Sequence, residues 1–214
     1  MKPAIVAVIF DLDGVIVSTD DKHYEAWLSI SREEGIPFDR TINDRLRGVS
    51  RMESLGIILE QAERPYTEQE REALADRKNS CYQELLAGIT EADLLPGVRD
   101  TLAELKRRGI RAAIGSSSKN ARLILSRLGI TGDFDIIVDG NDIMRSKPDP
   151  EVFVTAAARL GAAPAACLVV EDAEAGIAAA VAAHMTPVAI GPACGSPLAQ
   201  FQIQSLHELP ALLE

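Results

Sequence analysis

Apolar runs alternate with amphipathic stretches along most of the chain, and this alternation predicts its fold. The first run, residues 4–10 (AIVAVIF), ends at two acids. Its length and β-branched content are typical of a strand buried on both faces of a parallel sheet. Four later runs have the same character, at residues 110–115, 134–138, 167–170 and 187–190. Helix-period stretches separate them, which predicts an α/β fold with a Rossmann-like parallel sheet and helices on both faces.

The stretch from Ser18 to about residue 88 has no strand-like run and reads as helical. Asp20 or Asp21 is placed to cap its first helix. Two further helix starts carry the spacing of a capping box, Ser50 with Glu53 and Thr67 with Glu70. We therefore predict an α/β core domain of residues 1–16 and 92–214. An all-helical domain of residues 17–91 is inserted after the first strand, with hinges near 15–19 and 88–96.

Charge and cysteine content narrow the class of protein. The chain has 214 residues and a net charge of −10, which argues against nucleic acid or an anionic membrane as the main partner. It shows neither a signal-peptide pattern nor an uninterrupted apolar stretch of membrane-spanning length. Cys81, Cys167 and Cys194 are odd in number and far apart, so we expect reduced thiols. These features predict a cytoplasmic protein, and we expect it to be monomeric.

Polar side chains follow the predicted strands, where open α/β sheets bind their ligands. They are Asp11 and Asp13, Ser116, Asp139 with Lys147 just after it, and Glu171 with Asp172. Clustered acids need a cation, and oxygen ligands with open positions suit Mg²⁺. A Mg²⁺ that faces a lysine and a hydroxyl suits a phosphoryl group, whose oxygens need neutralising during transfer.

Each of these residues also has a plainer interpretation. Asp11 and Asp13 could form a polar strand end, and Lys147 could be a solvated loop lysine. Glu171 and Asp172 could be acids that a helix dipole favours, and the serines that begin at residue 116 could form an N-cap. Their joint placement at successive strand ends favours the functional interpretation.

These residues also resemble a known family. Asp11-Leu12-Asp13-Gly14, Ser116, Lys147 and Glu171-Asp172 look like the four motifs of the haloacid dehalogenase superfamily of phosphotransferases. The resemblance covers the whole chain, and the helical insertion is similar to that family's four-helix cap. Within the family, the similarity is greatest to the β-phosphoglucomutases. It rests on residues 23–27 (HYEAW), 48–51 (GVSR), 77–79 (RKN), 116–120 (SSSKN) and 146–148 (SKP). Ser18 departs from the pattern, because relatives usually carry an acid at that hinge position.

The resemblance implies a role for each residue. Asp11 is expected to be a nucleophile that becomes an aspartyl phosphate, and Asp13 a general acid/base with a raised pKa. The implied Mg²⁺ ligands are Asp11, the main-chain carbonyl of Asp13, Asp172 and, assisting, Glu171. Ser116 and Lys147 are expected to act in catalysis by binding the oxygens of the transferring group. The implied substrate-binding residues are His23, Trp27, Gly48, Val49, Ser50, Arg51, Ser54, Lys78, Ser116, Ser117, Ser118, Lys119, Asn120 and Lys147.

Three of these residues keep an open alternative. Trp27 could belong to the core of the insertion rather than to a sugar site. His23 could be a surface residue of the first inserted helix. Ser117 could contribute only its backbone.

A mutase and a phosphatase would share the strand-end site, but a mutase must also anchor a bisphosphate intermediate by its second phosphate. Arg51, with Ser118, Lys119 and Asn120 at a helix start, is a candidate second anion site. This second site favours a mutase, and the resemblance then implies conversion of β-D-glucose 1-phosphate to glucose 6-phosphate through β-glucose 1,6-bisphosphate. A Mg²⁺-dependent sugar-phosphate phosphatase and a non-catalytic binding protein are the alternatives.

Overall fold

The structure is a computed structural model that describes residues 4–213; residues 1–3 and 214 of the predicted core domain lie outside this range. Its described strands form one parallel sheet in the order β3-β2-β1-β4-β5-β6. They are β1 (Ala7–Phe10), β2 (Arg111–Gly115), β3 (Ile136–Val138), β4 (Cys167–Glu171), β5 (Thr186–Ile190) and β6 (Phe201–Ile203). From β1 the chain adds strands on one side of the sheet, and from β4 it adds them on the other side. The ligand crevice of such a sheet is expected at this switch point, between β1 and β4.

Helices cover both faces of this sheet. They are α5 (Val98–Arg107), α6 (Ala121–Arg127), α7 (Glu151–Leu160) and α8 (Glu174–Ala182). Because successive strand residues point to opposite faces, β1 serves both layers of the core. Phe10 packs in a cluster with Leu105 of α5, and Ile9 packs in the other cluster with Phe153 of α7. The predicted α/β class is confirmed.

The segment between β1 and β2 is helical, as predicted. It contains α1 (Asp20–Glu33), α2 (Arg40–Asp44), α3 (Arg51–Leu59) and α4 (Glu68–Leu85). Both predicted capping boxes are present, at Ser50 with Glu53 and at Thr67 with Glu70. These helices bury an apolar cluster of their own that includes Trp27, Leu55 and Leu74, while Ala26 and Tyr82 pack in the sheet-domain cluster. Across residues 4–213, none of the helices combines the length and the apolar character that a bilayer crossing requires.

Two chain segments connect this insertion to the sheet, and they lie side by side. Val17 forms β-bridges with Asp13 and with Leu94. The Leu95 N–H donates to the Ile16 carbonyl over 3.0 Å. Both connections between the insertion and the sheet therefore lie together at the carboxyl end of β1.

The fold differs from the sequence-based predictions in several details. The first strand is predicted from residue 4 but begins at Ala7; Val6 before it still bonds Ala166 and Arg111 through its backbone, and its side chain is 39% exposed. Neither Asp20 nor Asp21 caps α1; Thr19 occupies the N-cap position and makes no side-chain cap bond, because its hydroxyl bonds Asp13. The sixth strand, β6, was not predicted, since three residues are too few to show a period.

Candidate active site

The floor of the site is built by two neighbouring strands. Phe10 of β1 is in register with Val170 of β4, and the Asp11 N–H donates to the Val170 carbonyl over 3.0 Å. Parallel pairing therefore places Asp11 beside the end of β4, whose last residue is Glu171 and which Asp172 follows. One carboxylate oxygen from each of the three acids lies within 4.8 Å of the others. All three acids are buried.

A lysine lies beneath this acid cluster. The Lys147 ammonium donates to Asp11 Oδ1 and to Glu171 Oε1, each over 2.5 Å. The Lys147 side chain is 0% exposed and also lies over the Phe153 ring, 4.7 Å from its centroid. A solvated loop lysine, the plainer interpretation of Lys147, is therefore wrong. Burial disfavours its charged form, but the two carboxylates outweigh burial and raise its pKa.

The three acids are under electrostatic strain. Burial and then neighbouring negative charges raise the pKa of Asp172 to about 8. Burial also raises the pKa of Glu171 to about 7, against the opposing effect of Lys147. Burial raises the pKa of Asp11 as well, and the Lys147 ammonium opposes that rise. One ammonium does not neutralise three adjacent carboxylates, so the donor set and its charge fit a hard divalent cation.

Two glycines allow the carboxylates to approach the backbone. A Cβ on Gly14 would lie 2.0 Å from Asp172 Oδ2. A Cβ on Gly176, in the first turn of α8, would lie 1.9 Å from the Glu171 carboxylate. Either methyl group would displace an acid of the cluster, so both positions require glycine.

The Asp13 side chain is held apart from the acid cluster. It accepts hydrogen bonds from the Thr19 N–H over 3.0 Å and from the Thr19 hydroxyl. Because that hydroxyl proton goes to Asp13, the buried Tyr82 hydroxyl donates to Thr19 over 2.8 Å. Burial raises the pKa of Asp13, and the Thr19 bonds oppose the rise. A carboxyl with a raised pKa beside a cleft suits proton transfer near neutral pH.

A buried lysine, Lys78, and a partly exposed histidine, His23, face Asp13 from the insertion. Lys78 Nζ lies 2.7 Å from His23 Nδ1, and His23 Nε2 lies 3.9 Å from Asp13 Oδ2. Burial lowers the pKa of Lys78 to about 7 and that of His23 well below its ordinary value. Lys78 also lies over the Trp27 ring, 4.9 Å from its centroid. Trp27 is 2% exposed within the insertion's apolar cluster, so it belongs to that core and also lines the cleft.

The serine run forms a tight turn after β2. The Ser116 N–H donates to the Val138 carbonyl over 3.0 Å. Its hydroxyl accepts from the Ser118 N–H, and the Ser118 hydroxyl accepts from the Asn120 N–H, each over 3.2 Å. The Ser117 hydroxyl is buried without a hydrogen-bond partner among the described residues. Ser117 lines the cleft, but its hydroxyl is enclosed by protein, which favours a contribution through its backbone.

These elements enclose a cleft of about 1300 Å³ between the sheet and the insertion. Of the sequence-predicted site residues, it is lined by Asp11, Asp13, His23, Trp27, Gly48, Val49, Ser50, Arg51, Ser54, Lys78, Ser116, Ser117, Ser118, Lys119, Asn120 and Asp172. Lys147 and Glu171 lie under its floor, bonded to each other. Ser18, the departure from the family pattern, also lines the cleft.

Asp139 is the exception among the strand-end residues. Its carboxylate lies 3.1 Å from Arg122 Nε and accepts from the Asn141 N–H over 2.9 Å. It does not line the cleft or join the acid cluster. Asp139 therefore organises its own turn, and the expectation that it lies with the other acids is wrong.

Comparison with known proteins identifies the family. A family model described as haloacid dehalogenase-like hydrolase matches residues 5–184. The chain belongs to the haloacid dehalogenase-like hydrolases.

Two relatives and one solved structure refine this haloacid dehalogenase-like assignment. The β-phosphoglucomutase of Bacillus subtilis (strain 168) is 48% identical over 212 residues, which cover 94% of each chain. The phosphorylated carbohydrates phosphatase of Thermotoga maritima is 32% identical over 83% of this chain and 81% of its own. The crystal structure of a β-phosphoglucomutase from Clostridium difficile matches with a TM-score of 0.91 and 40% identity, covering 96% of this chain and 93% of that one. The predicted resemblance to the β-phosphoglucomutases is confirmed.

Sequence reasoning assigned no site role to four polar residues of this haloacid dehalogenase-like site, although Asn79 belongs to one of the segments that carry the resemblance. Thr19 bonds Asp13 and Tyr82 bonds Thr19, and Asn79 and Gln83 hold Asn120. Asn79 and Gln83 are four residues apart, so they share one face of α4. That spacing was visible in the sequence, but it does not say which element the face meets.

Proposed function

We propose that this chain is a β-phosphoglucomutase that converts β-D-glucose 1-phosphate to glucose 6-phosphate through β-glucose 1,6-bisphosphate. One observation favours a mutase over a phosphatase. Besides the acid cluster with Lys147, the cleft has a second group of anion-binding donors, Arg51 of the insertion next to Asn120 of the sheet domain. A bisphosphate needs two such sites, whereas hydrolysis of a monophosphate needs only one. The 48% identity to the B. subtilis β-phosphoglucomutase supports the same choice.

The proposed reaction starts from Asp11 carrying a phosphoryl group. The 6-hydroxyl of β-glucose 1-phosphate attacks the phosphorus, its proton passes to the Asp13 carboxylate, and the bond to Asp11 breaks. The resulting bisphosphate turns around in the cleft. The Asp11 carboxylate then attacks the phosphorus of the 1-phosphate, and Asp13 returns its proton to the departing sugar oxygen. Glucose 6-phosphate leaves, and the aspartyl phosphate is regenerated.

The buried positions suit these steps. Lys147 bonds Asp11 Oδ1 directly, so its ammonium can bind an oxygen of the transferring group and stabilise its charge. Ser116 is buried at the neighbouring strand end, and its hydroxyl can bind another oxygen. Thr19 directs one Asp13 oxygen and leaves the other facing the cleft on the side of His23.

The cofactor that we propose is Mg²⁺. Asp11, the main-chain carbonyl of Asp13 and Asp172 would hold it, with Glu171 assisting. Its donors would be the oxygens of the buried acid cluster, which are of the kind that Mg²⁺ prefers. When bound, it would neutralise negative charge on the phosphoryl oxygens.

We further propose that residues 17–91 act as a cap domain on a core of residues 1–16 and 92–214. The separate apolar cluster of the inserted helices supports this division, and the paired connections at Val17 and Leu94 would serve as the hinge. Closure would exclude water from the aspartyl phosphate and favour transfer to sugar over hydrolysis. Because one chain supplies both walls of the cleft, a monomer is sufficient, and the three free thiols suit the cytoplasm.

A sugar-phosphate phosphatase is the second candidate, because the T. maritima phosphatase shares 32% of the aligned residues. Phosphorus NMR separates the two functions. With Mg²⁺, β-glucose 1-phosphate and a trace of β-glucose 1,6-bisphosphate, the mutase yields glucose 6-phosphate without inorganic phosphate. Release of inorganic phosphate as the main product would contradict the proposal. Asp11→Asn is the control, and it should abolish either reaction.

A further inference from the structure

One side-chain amide of the insertion links the two halves of the second anion site. The Asn79 Oδ1 atom on α4 accepts from Arg51 Nη2 over 2.8 Å and from Asn120 Nδ2 over 2.9 Å. Arg51 begins α3 of the insertion, whereas Asn120 stands before α6 of the sheet domain. A single acceptor therefore fixes two donors that belong to opposite walls of the cleft.

A second residue of α4 completes the arrangement. Gln83 lies one turn after Asn79, and its Nε2 donates to Asn120 Oδ1 over 3.0 Å. Helix α4 thus holds both ends of the Asn120 amide. Asn120 itself is 8% exposed. Its orientation is set by the helix rather than by solvent, and Asn120 also lines the cleft.

The chemical nature of Asn79 matters as much as its position. Arg51 is half-buried, and its nearest carboxylate is an exposed one, Asp76, at 4.0 Å. A neutral amide oxygen orients the guanidinium but leaves its positive charge uncompensated. An aspartate at position 79 could accept the same two hydrogen bonds, but it would neutralise Arg51 and repel an anion. Asparagine is therefore suited to hold Arg51 ready for a phosphate.

We propose that Asn79 is a positioning residue for the phosphate that does not react, acting through Arg51 and Asn120, with Gln83 supporting Asn120. This inference rests on the proposed function and deepens it. It makes helix α4 the element that couples closure of the insertion to occupation of the second phosphate site. Neither Asn79 nor Gln83 is expected to touch the reacting atoms.

Binding measurements test this role without turnover. The probe is glucose 6-phosphate, titrated calorimetrically onto enzyme whose Asp11 site holds Mg²⁺ and trifluoroberyllate as a phosphoryl mimic. We expect Asn79→Ala to weaken its binding about 10-fold or more, the range for losing a hydrogen bond to a charged group. Asn79→Asp should fail to restore it. Ser80→Ala is the control on the same helix, because Ser80 is exposed and bonds only the Asp76 carbonyl of its own helix.

Steady-state kinetics give the second readout. Asn79→Ala should raise the KM for β-glucose 1-phosphate more than it lowers kcat. Phosphorylation of Asp11 by acetyl phosphate should stay within about 2-fold of the wild type, because this donor has no second phosphate. In the Arg51→Ala background, Asn79→Ala should have a smaller effect than in the wild type, as expected for residues that act together.

Several results would overturn the inference. They are native glucose 6-phosphate affinity in Asn79→Ala, native affinity in Asn79→Asp, and equal losses with both phosphoryl donors. If the wild-type enzyme does not bind glucose 6-phosphate, that result would contradict the existence of the second phosphate site itself. Failure of the proposed function looks different: the wild type would bind glucose 6-phosphate through Asn79 but release inorganic phosphate from β-glucose 1-phosphate.

Discussion

Lys147 and Asp11 form a buried ion pair whose N···O distance is 2.5 Å. The lysine comes from the loop after β3, 136 residues along the chain from the aspartate. Glu171 shares the same ammonium at 2.5 Å, so one positive charge serves two carboxylates. This contact joins three segments at the edge of the sheet, and it makes Lys147 important for both stability and chemistry.

We expect Lys147→Met to lower stability and to prevent phosphorylation of Asp11. Removing one partner of a buried pair typically costs about 3–5 kcal/mol, because it leaves an uncompensated charge. Thermal unfolding and labelling by acetyl phosphate measure the two effects. Because a divalent cation can partly replace the lost charge, Mg²⁺ should raise the Tm of the variant more than that of the wild type. A native Tm with native labelling would show that the pair has neither role.

The metal-free acid cluster should respond to pH. The folded-state pKa of Asp172 is raised to about 8 from an ordinary value of 3.8. Between these values the folded chain keeps a proton that the unfolded chain has lost, so the stability of the metal-free protein falls as pH rises. A cation competes with that proton. We therefore expect Mg²⁺ to raise Tm more near pH 8.5 than near pH 6.

Calorimetry provides the check on this metal prediction. Titration in buffers of different ionisation enthalpy should show protons released on Mg²⁺ binding near pH 7. The Asp172→Asn variant is the control. It should lose most of its affinity for Mg²⁺ and most of the pH dependence of the Mg²⁺ effect on Tm. A Mg²⁺ effect that is equal at both pH values would contradict a cluster held partly protonated.

Asp13→Asn separates proton transfer from metal binding. The carboxylate of Asp13 bonds Thr19 and lies outside the acid cluster, so the variant should bind Mg²⁺ nearly as well as the wild type. Loss of general acid/base assistance should reduce mutase turnover by about 10²–10⁴-fold. Comparing Mg²⁺ affinities of Asp13→Asn and Asp172→Asn checks the assignment. Equal losses in both variants would mean that the Asp13 side chain is itself a metal ligand.

Lys78→Met should show a stability gain that depends on pH. Burial lowers the folded-state pKa of Lys78 to about 7, whereas the unfolded chain keeps the ordinary value of 10.5. The cost of burying the ammonium is therefore full below pH 7 and falls as pH rises toward 10.5. Urea unfolding near pH 6 and near pH 9.5 should give the larger gain at the lower pH. A gain that does not vary with pH would contradict this account, and turnover should fall in either case because Lys78 lines the cleft.

How far the sequence predicts this site depends on which part of the fold holds each residue. Asp11, Glu171 and Lys147 were predictable because parallel strands bring their carboxyl ends to one edge. Asp139 follows a strand in the same way, yet it turns to Arg122, because the residues beyond a strand end are free to turn either way. Strand-end position thus predicts the neighbourhood of a side chain and not its direction.

The contacts between insertion and sheet domain were beyond the reach of sequence patterns. Helix periodicity shows that Asn79 and Gln83 share a face, but only the packing of two separate apolar clusters decides what that face meets. The same limit applies to Thr19, whose spacing suggests no partner. Its hydroxyl bonds Asp13 because the turn after β1 brings Val17, and Thr19 with it, back beside Asp13.

The central claim is that phosphorylated Asp11 transfers its phosphoryl group to a sugar phosphate held by a second anion site. The most direct test is a single turnover. The enzyme is phosphorylated with Mg²⁺ and acetyl phosphate that carries a label on its phosphoryl group. It is then freed of excess donor and mixed with β-glucose 1-phosphate. The account predicts that the label appears in glucose 1,6-bisphosphate and glucose 6-phosphate, and that Arg51→Ala diverts it to inorganic phosphate. Label that appears as inorganic phosphate at the same rate with and without the sugar phosphate would contradict it.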